Sequence, residues 1–505
     1  MLFHLLDHAA GPELQRLLAD TTLAEACQKH GNALWYKNEF VLCLVSYDMA
    51  VRLREDQVRR QGRNELRKEL AGDYMNRGNA LNFLERLEEA LADYDTAVGL
   101  YEESAHGEPL RELRDQLARV HLNRGRALRR VGRLEEALHD YGTSIGLYEE
   151  LMHWEGRDEL RDELALGYVN RGAALANLGC LEEALDDYNS CIGLREGVAQ
   201  REGSPEGRKT LAMAYNNRGD ALAHMGRLED ALADYGTCID LTKELVDRED
   251  RSELRHDLAI TYMNRSVALT DLGRLEEALT DCNTCIRLEE DLVYQEGRRE
   301  LRDYLALASL NRGRTLENLG CLEEALADYS TGIDLRENLV KREGRRELRN
   351  GLAHAYMLRG CDLHELGRLE EALTDYNTCI DLRENLVQRE GRRELRNDLA
   401  IAYMNRGLTL DSLGRLEEAM ADYDRCIRLE EELVQHDGRR ELAGQLGWVY
   451  AQHAALLLRM GRREEACHRA QEAVSILQSE VTRTGRADLR GLLALAEDVV
   501  RDACG

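Results

Sequence analysis

The chain has 505 residues and carries 95 Asp and Glu against 68 Lys and Arg, a formal net charge of −27. A surface this acidic repels nucleic-acid phosphates and anionic lipid headgroups, so neither nucleic acid nor a membrane is expected as a partner. The 43% hydrophobic content excludes a disordered chain, and only 3 prolines in the whole length point to helix almost throughout.

The start, Met1-Leu2-Phe3-His4-Leu5-Leu6-Asp7, lacks the basic region and cleavage site of a secretory signal. No apolar run reaches the roughly 18 residues that span a bilayer. With 13 cysteines, an odd number, the expectation is a reduced, cytoplasmic protein. Residues 1–15 are read as an N-terminal cap. From there one step of 47 residues organises everything: Asn-Arg-Gly begins at Asn76, Asn123, Asn170, Asn217, Asn311 and Asn405, with variants at Asn264 and Leu358. Lys29-His30-Gly31 and Gln452-His453-Ala454 keep the same register. The expected division is ten repeats: 16–62, 63–109, 110–156, 157–203, 204–250, 251–297, 298–344, 345–391, 392–438 and 439–485. Residues 486–505 hold the register of one more first helix and are read as a C-terminal capping helix. The end repeats are atypical, with Trp35, Tyr36 and Phe40 in the first and Arg462, Arg463, Cys467 and His468 in the last. Terminal repeats face water on one side, which requires such departures.

Within the repeat 392–438, Leu395, Leu399, Tyr403, Gly407 and Leu410 recur at the spacing of one helix face. Gly414 supplies a left-handed stop. Leu416, Ala419, Met420, Tyr423, Ile427 and Leu429 then form the apolar face of a second helix, opened by Glu417 and Glu418 at the positive end of its dipole. Glycines close the second helix at 62, 156, 203, 297, 344, 391, 438 and 485, with Pro109 and Asp250 as exceptions. Each repeat is thus a helix hairpin that must stack on its neighbours to bury both faces.

These residues resemble the tetratricopeptide repeat family, in a long 47-residue variant. The family's pattern of glycine, alanine, aromatic and small residue falls on Gly78, Ala90, Tyr94 and Ala97, and again on Gly172, Ala184, Tyr188 and Cys191. The resemblance covers about residues 16–485. It implies an all-α, right-handed α-solenoid superhelix of ten helix hairpins plus the C-terminal capping helix. It also implies a protein-interaction scaffold whose concave groove is lined by the first helix of each repeat, and it places the asparagine row in that groove. Asn76, Asn123, Asn170, Asn217, Asn264, Asn311 and Asn405 are the candidate peptide-binding residues. An amide side chain offers donor and acceptor together and matches one peptide unit.

Eight repeats pair the Arg of this tripeptide with an Asp sixteen residues on, from Arg77 and Asp93 to Arg406 and Asp422. The first and last repeats lose both together, which predicts a structural ion pair between the two helices. At the variable groove positions the third repeat is basic, with Arg119, Arg126, Arg129 and Arg130 as a candidate docking patch for an acidic stretch of a partner. Later repeats carry Asp271, Glu317, Glu365 and Asp411 there instead.

Catalytic chemistry is not expected. Cys282 and Cys285 occupy an aromatic slot and a small-residue slot of the repeat, so their Cys-x-x-Cys spacing reads as packing. The Glu-Glu pairs recur in most repeats and suit helix starts. No cofactor and no metal are expected. The leading reading is a non-catalytic scaffold or adaptor for a protein or peptide partner. The alternatives are self-association into a multimer or filament through the ends or the convex face, and a regulatory subunit of a separately encoded enzyme.

Overall fold

A computed structural model describes residues 21–37, 39–105, 110–202, 204–249 and 251–505. The expected N-terminal cap, the start of the first repeat, Pro109, Gly203 and Asp250 lie outside them. Among the described residues the chain has 21 α-helices and no strand. Two compact units divide between Thr261 and Tyr262.

The first unit contains the hairpins α1 (Thr21–Trp35) with α2 (Phe40–Glu55), and α3 (Arg67–Phe83) with α4 (Leu87–Ala105). There follow α5 (Leu110–Arg130) with α6 (Leu134–Glu155), and α7 (Arg161–Asn177) with α8 (Leu181–Glu202). It ends with α9 (Pro205–His224), α10 (Leu228–Glu249) and the first residues of α11 (Arg255–Asp271). The second unit continues from α11 into α12 (Leu275–Glu290), then α13 (Arg302–Asn318) with α14 (Leu322–Arg342). Next come α15 (Arg349–Glu365) with α16 (Leu369–Glu384), and α17 (Arg396–Ser412) with α18 (Leu416–Glu431). The last hairpin is α19 (Ala443–Arg459) with α20 (Arg463–Thr484), and α21 (Ala487–Cys504) packs on both of its helices. Within each unit a second helix packs on its own first helix and on the first helix that follows, which makes an all-α solenoid of hairpins.

One glycine–tyrosine contact sets the distance inside a hairpin. The ring of Tyr235 lies so close to Gly219 that an added Cβ would sit 2.7 Å from it. Gly78, Gly125, Gly172, Gly313, Gly360 and Gly407 meet Tyr94, Tyr141, Tyr188, Tyr329, Tyr376 and Tyr423 in the same way. The chain carries its own control. Where the glycine becomes Ser266 the tyrosine becomes Cys282, and where it becomes Ala454 the tyrosine becomes Ala470. Added volume on one helix is matched by lost volume on the other, as close packing demands.

The expected Arg–Asp pairs form in all eight repeats. Each guanidinium donates two parallel hydrogen bonds of 2.6–2.8 Å to its carboxylate. A third arm, not foreseen, reaches back to the second helix of the preceding hairpin. Arg77 takes Asp48, Arg124 takes Asp95, Arg218 takes Asn189, Arg312 takes Asn283, Arg359 takes Ser330 and Arg406 takes Asn377. For Arg171 that position is Gly142, which has no side chain to offer. In the terminal repeats His30 meets Ser46 at 2.9 Å, and His453 keeps the backward link by lying 3.2 Å from Asp424. Burial pushes the Asp140 carboxyl up, but hydrogen bonds from Arg124 and His121 outweigh it and hold the group below its usual range.

The turns follow the glycine pattern. Within hairpins Gly132, Gly179, Gly226, Gly273, Gly320, Gly367, Gly414 and Gly461 have φ of +73 to +81°. Glu85 occupies the same left-handed position at φ 64° without a glycine's freedom, and it is ion-paired with Arg130. Between hairpins a left-handed glycine leads into a short 3₁₀ turn such as Arg393–Leu395. Four second helices widen to a π-helical last turn, at Asp56–Arg60, Asp291–Gln295, Asn385–Arg389 and Glu432–His436. The expectation of reduced thiols is corrected at one place. Cys467 of α20 and Cys504 of α21 form a disulfide, because the final helix folds back beside the one before it.

Transplanting the natural compensation tests the packing account. Gly219→Ser alone should destabilise the protein by about 1–3 kcal/mol through overpacking. Gly219→Ser with Tyr235→Cys, copying Ser266 and Cys282, should recover most of that loss in thermal melts. For the fork, Arg218→Leu alone should cost about 3 kcal/mol, because it strands a buried carboxylate. Arg218→Leu with Asp234→Leu should cost clearly less. Equal losses from the single and double variants would contradict the ion-pair assignment.

Candidate functional site

With the fork holding one side of each first helix, the residue before it lies about 100° round the helix. In the first unit that neighbouring face opens into a cavity of about 640 Å³. Its walls come from Asp162, Glu163 and Leu166 of α7, from Lys209, Thr210, Met213, Asn216 and Asn217 of α9, and from Asp257, Ile260 and Thr261 of α11. Cys238, Thr242 and Leu245 of α10 supply the base, and Arg126 of α5 stands at one end. Met213 is 37% exposed, so the cavity offers an open apolar contact beside amide and hydroxyl groups. The Oδ1 of Asn216 is buried and accepts no hydrogen bond from protein.

The cavity sits where the repeat departs from two of its own columns. At the slot filled by Arg54, Tyr101, Tyr148, Arg195, Glu289, Arg336, Arg383, Glu430 and Leu477, this hairpin has Thr242, the smallest of the set. The leucine that closes the inter-hairpin turn at Leu160, Leu254 and Leu301 is here Gly207. The Arg195 guanidinium occupies the vacated space, and a Cβ on Gly207 would lie 1.1 Å from it. Helix α9 therefore starts differently, with Pro205 in its first turn and the Ser204 hydroxyl accepting from the Gly207 N–H at 3.0 Å. Met213, Asn216 and Thr242 were not singled out from sequence. The signal that marks them is the departure of Gly207 and Thr242 from their columns.

The asparagine row does not behave as one set. Asn217 lines the cavity. Asn170 is buried and donates to the Leu166 carbonyl at 2.8 Å, within its own helix. Asn405 donates to the sulfurs of Met357 and Cys361 at 3.3 and 3.5 Å, bridging to the preceding first helix. Asn76, Asn123, Asn264 and Asn311 are half-buried.

The four arginines of the third repeat also divide. Arg119 donates to Asp115 at 3.2 Å and lies 3.8 Å from Glu163. Arg130 donates to the Asn82 carbonyl and amide oxygens at 2.6 and 2.7 Å and pairs with Glu85. Arg129 lies against Tyr141, whose hydroxyl burial pushes up to about 12 while Arg129 pulls the other way. Arg126 is exposed and reaches the cavity. The chain's own acceptors thus engage two of the four charges. Two of the groove acids are engaged likewise: Asp271 receives Arg314 at 2.7 Å, and Asp411 pairs with Arg459.

Cys282 and Cys285 are buried free thiols, and burial pushes both upward, away from nucleophilic or metal-ligating thiolates. The second acid of most Glu-Glu pairs is clasped by the arginine that precedes the helix, as in Arg415 with Glu418 at 2.7 Å. Among the described residues no cluster of three or more His, Cys, Asp or Glu is placed to hold a metal ion. Among them, too, no helix is long and apolar enough to cross a membrane.

Comparison with known proteins agrees with the architecture. Tetratricopeptide-repeat family models match residues 74–104, 211–251, 259–292, 353–386 and 400–433. No curated protein sequence matches the chain. The apo form of the quorum sensor NprR from B. thuringiensis is similar in fold, at 16% identity and a TM-score of 0.50, over 75% of this chain and 91% of that one. RapI in its apo form aligns at 12% identity and a TM-score of 0.45, over 63% of this chain and 99% of that one. BtubC from P. vanneervenii aligns at 17% identity and a TM-score of 0.40, over 49% and 90%. By its matched segments and its stacked hairpins, the chain is a tetratricopeptide repeat protein.

Proposed function

We infer that the chain is a non-catalytic interaction scaffold that holds an extended segment of a partner protein on its first-helix face, with the cavity around Asn217 and Thr242 as the anchor point. The observation that carries this reading is the cavity itself. It opens at a hairpin where two stacking columns shrink, on the face that the fork leaves free. The apolar wall residues Met213, Leu166 and Ile260 suit one or two side chains of the segment. Asn216 and Asn217 suit its backbone, since an amide side chain satisfies both a peptide N–H and a carbonyl. Arg126 and Lys209 at the rim suit an acidic residue nearby.

One observation favours a second reading, self-association. Tyr36, Val41, Leu42 and Phe83 at the first two hairpins are 86, 64, 52 and 54% exposed, and Phe83 stacks on Phe40 at 3.6 Å. Where later repeats start this helix with acids, the first has Val41 and Leu42. Adjacent exposed apolar groups of this kind mark interaction surfaces.

Affinity capture with the full chain, read by mass spectrometry, identifies the partner. Thr242→Tyr, which installs the residue found at Tyr148, should fill the cavity and lower partner affinity by about tenfold or more. It should leave the thermal melt close to that of the parent. Unchanged affinity in this variant would contradict the anchor assignment. Light scattering separates the second reading: a mass that stays at 57.5 kDa at all concentrations rejects self-association, and one that grows with concentration and falls back in Val41→Glu/Leu42→Glu supports it.

A further inference from the structure

The second unit holds three carboxylates that no cation among the described residues neutralises. Residues 45 apart on successive first helices meet across the stack at the level of the hairpin turn. Thr270 and Thr315 share a hydrogen bond of 3.0 Å there, and His364 and Thr409 one of 2.8 Å. Between these two neutral, satisfied pairs the same columns hold Glu317 of α13 and Asp362 of α15. In the other repeats the Asp362 column is small or apolar, as at Ala221, Ala268, Thr315, Thr409 and Leu456. Asp362 is 1% exposed, and neither of its oxygens reaches a hydrogen-bond donor.

The groups facing Asp362 are acidic or neutral. They are Glu317 from α13, Glu365 and Cys361 from its own helix, and Tyr329 from α14, whose hydroxyl donates to Glu317 at 2.7 Å. Burial, with Glu317 and Glu365 beside it, pushes Asp362 up to about 7, so at neutral pH its carboxylate form is costly for want of a cation. Glu365 is exposed and forms the open side of the cluster. The flanking groove acids show what the site lacks. Asp271 is met by Arg314 and Asp411 by Arg459, each an arginine from the next hairpin. Among the described residues no such arginine arrives at Glu317, Asp362 or Glu365.

We propose that Glu317, Asp362 and Glu365 form a receptor for a cationic side chain, a guanidinium or an ammonium, presented by the partner segment. This rests on the reading of the first-helix face as the docking face, and it names one chemical requirement of the partner. A basic residue entering beside Glu365 takes the place that Arg314 and Arg459 take at the neighbouring acids. A buried acceptor without a donor is costly, and supplying a charged donor relieves it.

The experiment uses the full chain labelled at its methionine methyls, with Met357, which packs beside Cys361 and Asn405, as reporter. The probes are N-acetyl-arginine amide, N-acetyl-lysine amide with a free side-chain amine, and N-acetyl-citrulline amide, which keeps the shape of arginine without its charge. The expected result is a saturable shift of the Met357 signal with the two cationic probes and none with citrulline. Asp362→Thr, the residue this column carries at Thr315 and Thr409, should weaken the response by about tenfold. Glu323→Gln/Glu324→Gln, which removes two charges from a solvated helix start, should leave it unchanged. An equal response to arginine and citrulline would overturn the proposal. So would an Asp362→Thr response equal to that of the parent, or a Met357 shift that follows pH alone, which assigns the pair to a shared proton. Loss of the cation response with partner capture still sensitive to Thr242→Tyr refutes this receptor and leaves the docking face standing.

Discussion

In most repeats the arginine of the Asn-Arg-Gly motif holds three helices at once. Two of its nitrogens grip the aspartate on the second helix of its own hairpin, and in most repeats the third reaches a carboxylate, amide or hydroxyl on the second helix of the hairpin before. Arginine alone offers donors in so rigid a fork, and lysine could not reproduce the geometry. The aspartates are buried while the arginines keep partial contact with water, so the pair loses hydration and gains Coulomb energy in comparable amounts. Its larger effect is on register. A slip of one residue between the two helices of a hairpin strands a buried carboxylate, which locks the register of each repeat.

A scaffold fixed in this way leaves its other faces free to vary. The Gly–Tyr contact sets spacing within a hairpin, the fork sets spacing between hairpins, and neither uses the face presented by the asparagine row. Stability therefore rests on columns that repeat, and the proposed recognition on columns that do not. The cavity at Thr242 and the acids around Asp362 both arise at single departures from otherwise regular columns. A repeat protein can acquire such sites one substitution at a time, because neighbouring hairpins keep the stack in place.

Much of this is legible in the sequence, for reasons visible in particular residues. The joint loss of Arg and Asp at His30/Ser46 and His453/Arg469 betrays their contact, since ten copies in one chain act as their own alignment. The positive-φ glycines announce themselves by recurring. What stays hidden is anything set by stacking between hairpins. Arg119 and Arg130 look like a free basic patch because Glu163, Asn82 and Glu85 lie on other hairpins, at distances along the chain that only the stack defines. Asn170 and Asn217 occupy equivalent positions and differ only in what their neighbours leave open. The Cys467–Cys504 bond is obscured by the odd total of cysteines, and only the fold-back of α21 brings the two sulfurs together.

The central claim is that partner recognition lies on the first-helix face and stack stability lies in the forks. Hydrogen–deuterium exchange of the full chain, with and without its captured partner, tests this most directly. The account predicts new protection in α7, α9 and the start of α11, the helices around Asn217, with the second helices α8 and α10 unchanged on their outer turns. Protection confined to the outer second-helix surfaces, or to α20 and α21, would contradict it.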